Sequence, residues 1–165
     1  MSDTIAERFR TLYSYEKDAH AKVAQSLRTV PDDRRDSPEF HKAVGWFAHL
    51  ATARRVWLER LGVIPFQSGT MFPDKIGVDE VLFELQAVEL IWTQYLATLT
   101  DDRLGDVIEY KSLDAGRFRN RLEEILTQLF GHSWYHRGQI ASLVRVAGGE
   151  PAATDYIFWC REPVA

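Results

Sequence analysis

Residues 117–146 read RFRNRLEEILTQLFGHSWYHRGQIASLVRV. Within them Phe118, Leu122, Ile125 and Leu129 follow one another at steps of four, three and four residues, the spacing of one buried face on an α-helix. The same steps continue to His132, His136, Ile140 and Leu143 before the pair Gly148 and Gly149 stops the pattern. The stretch predicts a long amphipathic helix from about Arg117 to Val146 with two imidazoles set into its apolar stripe.

Three more helical patterns precede it. Ile5, Phe9, Leu12, Ala19, Val23 and Leu27 mark a first helix that ends before Pro31. Ser37-Pro38-Glu39 is a start signal for the second, because serine can cap free backbone N–H groups and proline at the first helical position forfeits no hydrogen bond; Gly62 stops it. Asp79 is placed to cap a third, running through Val81, Leu85, Val88, Trp92 and Leu99. Residues 106–118 alternate weakly before an Asp114-Ala115-Gly116 turn and read as a short extended piece. The fold class that follows is all-α: a four-helix bundle with residues 63–78 as a long connection and a short C-terminal segment packed on it.

Composition narrows the functions. A chain of 165 residues with 45% hydrophobic content can bury one good core, so one domain is expected over residues 1–165. The net charge of −4 is spread along the chain, without the basic cluster that nucleic acid would require. No apolar run suits a membrane span or signal peptide, so a cytoplasmic protein without a membrane role is expected. Cys160 is the single cysteine, excluding an internal disulfide; it reads as a small packing residue among aromatics.

The two histidines carry the chemical question. An imidazole buried without a partner costs about 1–3 kcal/mol, so two in succession need hydrogen-bond partners or a metal ion. Residues four apart lie about 6 Å apart along the axis on one face, which lets both rings converge on one ion. Of the other histidines, His20 is near the end of its helix and His41 lies in a first turn. His49 sits mid-helix beside Trp46, Ala53 and Val56 and is the best third ligand. Three protein ligands leave a position open for water or substrate. A di-iron bundle would need Glu-x-x-His pairs on two helices, and a zinc protease HExxH; residue 133 is serine. What remains is a mononuclear site with two ligands from one helix and one from another. Arg137 points about 100° away from His136. A buried arginine wants a carboxylate, and Asp155 is the expected partner, clamping the tail onto the last helix. Gly138 suggests close helix or tail packing. Trp46, Tyr110, Met71 and Phe72 are expected in the pocket walls.

The run HSWYHRGQIASLVRVAGGEPAATDYIFWCRE, residues 132–162, resembles the C-terminal signature of the DinB/YfiT-like family, in which HxxxHRGQ precedes a glycine, a proline and an aspartate, here Gly149, Pro151 and Asp155. WFAHLATARRVWLERLG, residues 46–62, is similar to that family's second helix, with its inward histidine. The resemblance implies a four-helix bundle holding one divalent transition metal, nickel, zinc, manganese or iron, through three histidines, which fall on His49, His132 and His136. It further implies a small-molecule substrate, with low-molecular-weight thiols used by some members, and a homodimer. Two functions follow as expectations: a metal-dependent transferase or hydrolase, or a non-catalytic metal-binding stress or interaction protein. A metal-free ligand-binding bundle is a third.

Overall fold

The computed structural model describes residues 4–67, 69–73, 76–112 and 116–164. Four long helices dominate: α1 (Ile5–Arg28), α2 (Pro38–Arg60), α3 (Val78–Ala97) and α4 (Leu122–Val146); α5 (Tyr156–Cys160) is a short C-terminal turn of helix. The helix starts follow local chemistry. Thr4 and Glu7 form a reciprocal capping box on α1, and Ser37 Oγ accepts from the Phe40 N–H ahead of α2. Gly62 closes α2 and Gly148 closes α4, at φ 69° and 88°, where a side chain would be strained. Asp79 does not cap α3; Gly77 holds the cap position without a side-chain bond, and Asp79 instead pairs with Arg28 of α1 at 2.5 Å.

The largest departure from the sequence pattern lies before α4. Residues 117–121 are a strand, β2 (Arg117–Arg121), paired antiparallel with β1 (Val107–Lys111) so that Tyr110 faces Phe118. Phe118 is therefore half exposed and outside the helical stripe. Leu113, Asp114 and Ala115, which include most of the expected turn, lie outside the described residues. Helix α4 begins only at Leu122, where the Arg121 N–H donates to Glu124 Oε2 at 2.9 Å.

Helix α4 lies mainly against α2 and also against α1, while α3 packs on both α1 and α2. The core has two apolar ends. One gathers Leu27, Phe40, Phe47, Leu50, Leu85, Ile140 and Val144, the other Phe9, Leu58, Trp92, Leu122, Leu126 and Phe130. Between them, every long helix contributes buried polar side chains: Glu16 and His20 from α1, Arg54 from α2, Glu89 from α3, Ser133 and Arg137 from α4. The three histidines singled out in the sequence belong to the same level of the bundle.

The tail is held by α1. Ser26 Oγ donates to the Glu150 carbonyl at 2.6 Å and accepts from the Ala152 N–H at 3.1 Å, and Thr29 Oγ1 accepts from the Glu150 N–H at 2.7 Å. The Tyr15 ring meets Tyr156 edge-on at 5.1 Å, and its hydroxyl donates to the Thr154 carbonyl. Close backbone approach occurs at Gly149, where a Cβ would come within 2.7 Å of Val30; at Gly138, the expected place, it would meet nothing within 4 Å. Cys160 is exposed rather than packed. Among the described residues, no helix is long and apolar enough to cross a membrane.

Candidate metal centre

His49 from α2 and His132 and His136 from α4 come together at the closest seam of the bundle. The His132 Nε2 lies 3.2 Å from the His49 Nε2 and 2.9 Å from the His136 Nε2. In a tetrahedral site with metal–nitrogen bonds of 2.0–2.1 Å, neighbouring ligand nitrogens stand about 3.3 Å apart. The cluster is thus already near that size.

The far side of two rings determines what their Nε2 atoms offer. His49 Nδ1 faces the Met71 carbonyl at 3.1 Å, and His136 Nδ1 faces Gln139 Oε1 at 2.7 Å. Both partners accept, so both Nδ1 atoms carry the proton and both Nε2 atoms present lone pairs. His132 Nε2 can bring at most one proton to these two acceptors. A cation satisfies all three lone pairs at once, which is how the donor set fits a divalent metal.

Burial keeps the rings neutral. It pushes His132 down to about 4, with His136, His49 and Arg54 adding to the effect. Burial also lowers His49 against the pull of the Met71 carbonyl, and lowers His136 against the pull of Gln139. Among the described residues, these three are the group of histidine, cysteine, aspartate or glutamate side chains able to share one ion.

Aromatic rings fix the imidazole planes. Trp46 stacks on His136 at 4.3 Å and meets His49 edge-on at 5.6 Å. Phe72 lies flat on His49 at 4.5 Å, so the 63–78 connection supplies both a carbonyl and a covering ring. Tyr110 is not in this wall; it packs against Trp57 at 5.0 Å and lines a separate cavity.

Arg137 pairs with Glu16, at 2.5 Å, and not with Asp155, which is exposed and has no ion pair among the described residues. Glu16 is completely buried and also accepts from Arg54 at 2.6 Å and from the Trp134 indole at 3.1 Å. Arg54 donates in turn to Ser133 Oγ at 2.5 Å, and Arg137 to the Tyr15 hydroxyl at 2.6 Å. Ser133 and Arg137 are the immediate neighbours of His132 and His136, so Glu16 and its arginines fix the helix segment that carries both histidines. His20 completes this layer with a 2.7 Å hydrogen bond to Glu89. The sequence sets His20 near a helix end, whereas it lies eight residues inside the end of α1 and is buried, and Glu16, Arg54 and Glu89 were not singled out at all. The available signal was Phe9, Tyr13, Glu16, His20, Val23 and Leu27, an unbroken alternation of four- and three-residue steps that puts a carboxylate and an imidazole in a core stripe.

Comparison with known proteins agrees with this architecture. Protein DinB of Bacillus subtilis is 26% identical over 156 residues, covering 88% of this chain and 89% of that protein. The crystal structure of a DinB-like protein from Bacillus cereus superposes with a TM-score of 0.66 at 22% identity, covering 93% of this chain and 99% of that one, a likeness of fold. The DinB family model matches residues 1–162, and the chain belongs to the DinB family.

Proposed function

We propose that this protein is a metal-dependent enzyme in which His49, His132 and His136 hold one divalent transition metal and a small molecule reacts at the position they leave open, in a thiol S-transferase-like or hydrolase-like reaction. The observation that carries the reading is the convergence of three Nε2 atoms, two of them fixed as acceptors by Met71 and Gln139. When bound, the ion supplies Lewis acidity, which lowers the pKa of a thiol or water that reaches it. The chain's own part is positional. Met71 and Gln139 keep the protons on Nδ1, Trp46 and Phe72 hold the ring planes and exclude water from one side, and Glu16 with Arg54 and Arg137 keeps the ligand-bearing turn of α4 in place.

The test is metal analysis of protein purified without a metal-affinity resin, followed by a transfer assay pairing a model electrophile with several low-molecular-weight thiols. The expected results are close to one divalent metal per wild-type chain, loss of it in His136→Ala, and metal-dependent turnover with at least one thiol. Stoichiometric metal retained in His136→Ala would defeat the site. Metal without turnover for any thiol or hydrolysable ester would favour a binding role over a catalytic one.

A further inference from the structure

A cavity of about 520 Å³ adjoins the histidine cluster, lined by none of the three histidines but joined to them through Met71 and Thr52. Met71, whose carbonyl accepts from His49, lines this cavity, as does Thr52, one helical turn beyond His49 on α2. The lining extends to Arg60 at the end of α2 and to Lys111 at the end of β1. Arg60 is eleven residues past His49, or roughly 16 Å along the helix axis. This is the scale of a metabolite with one end near the histidines and the other near the arginine.

The charges along this wall do not balance. Glu59 is paired with Arg55 at 2.7 Å, and Glu109 with Arg117 at 3.3 Å. The lining holds three cations, Arg55, Arg60 and Lys111, against the two acids, and Arg60 and Lys111 have no ion pair among the described residues, in a chain whose net charge is −4. Arg60 is half-buried, with its guanidinium 4.7 Å from the Trp57 ring centre and 4.9 Å from that of Tyr110. Two ring faces fix the plane of the fork, and a guanidinium held in plane offers paired N–H donors to a carboxylate. Burial also pushes the Arg60 pKa down, with Tyr110 and Glu59 opposing it without cancelling it.

We propose that this cavity binds the carboxylate end of the substrate through Arg60 and Lys111, while the reacting end of the same molecule lies at the histidine cluster. The inference rests on the reading of that cluster as the reaction centre, and it names the substrate class as an elongated small molecule carrying a carboxylate.

The test titrates the full chain with adipate and with hexanediol, a pair matched in length and differing in charge, by calorimetry and by tryptophan fluorescence, since Trp57 touches Arg60. Adipate is expected to bind at least tenfold more tightly than hexanediol. Arg60→Gln should erase the difference, Arg60→Lys should keep part of it, and Lys111→Gln, a change at an exposed strand position that leaves folding intact, should weaken adipate severalfold. Equal binding of the two probes, or a preference for adipate that survives both glutamine variants, would overturn the proposal. A second pair, 11-mercaptoundecanoate and 11-mercaptoundecanol, long enough to reach from the histidines to Arg60, is then titrated into cobalt-loaded protein. Perturbation of the cobalt spectrum by both thiols with equal affinity defeats the carboxylate subsite and leaves the metal reading standing. Discrimination between adipate and hexanediol with no spectral response to either thiol defeats the thiol reading of the metal centre and keeps the anion site.

Discussion

Glu16 Oε1 on α1 lies 2.5 Å from Arg137 Nη1 on α4, and both side chains are shielded from solvent. Glu16 also holds Arg54, so its loss leaves two arginines buried without their shared carboxylate. Glu16→Gln is expected to destabilise the fold by about 3–5 kcal/mol in urea unfolding. Because the pair fixes the turn bearing His132 and His136, the same variant should lower metal affinity by roughly tenfold, read by competition with a chromophoric chelator. Unchanged affinity in the folded variant would separate the clamp from the metal centre.

Gln139 gives a cleaner probe of ligand orientation. Its amide oxygen accepts from His136 Nδ1 at 2.7 Å, and the side chain is only partly buried. Gln139→Ala should reduce metal affinity by about 10-fold with a stability change under ~1 kcal/mol, and Gln139→Glu should restore the affinity by making the imidazole a stronger donor. Equal affinity in all three proteins would show that the histidine is oriented by the rings around it, Trp46 and Tyr135 among them, and not by Gln139.

Glu89 sets a pH dependence. Burial pushes its carboxyl up to about 7, with Glu16 adding to the rise while Arg54 and Lys17 oppose it. A carboxyl raised above its unfolded value favours the folded state most when protonated. That contribution is complete below the ordinary carboxylate range and is lost as pH rises through about 7. Relative to Glu89→Gln, the wild type should therefore lose on the order of 2 kcal/mol between pH 4.5 and 7.5. His49, His132 and His136 titrate in both proteins and cancel in the difference, whereas His20, bonded to Glu89 at 2.7 Å, titrates with it as one pair. Parallel stability curves would rule out the shifted carboxyl.

Asp155 supplies a control. It is exposed and carries no ion pair among the described residues, so Asp155→Asn should change stability by less than about 0.5 kcal/mol. Ser26→Ala, which removes two hydrogen bonds to the tail, should cost about 1–2 kcal/mol and raise protease sensitivity of residues 150–160.

The four helices were legible because each is long enough to repeat its period several times, and Ser37, Gly62 and Gly148 punctuate them with local chemistry. The first strand of the hairpin lies within the extended piece read at 106–118, but the second was hidden because Phe118 happens to extend the α4 stripe by one correct step, and only its pairing with Tyr110 reveals a strand. His49, His132 and His136 could be read because an imidazole on an apolar stripe contradicts its neighbours. Glu16 and Arg54 could not be matched from their own helices, since a charge in a stripe announces burial without naming its partner. Arg137 shows the limit: its need for a carboxylate was evident, but the acid singled out in the tail, Asp155, is not the one that meets it in space.

The polar layer across the middle of the bundle also serves as an alignment key. Four amphipathic helices with uniform apolar faces could settle in several shifts of one turn with little difference in buried area. Here a shift of any one helix would set Glu16, Arg54, Glu89 or Arg137 opposite leucine or phenylalanine, and an unpaired buried charge costs several kcal/mol. The arrangement that neutralises those charges is also the one that brings His49 level with His132 and His136, so the register of the fold and the assembly of the three-histidine cluster are one event.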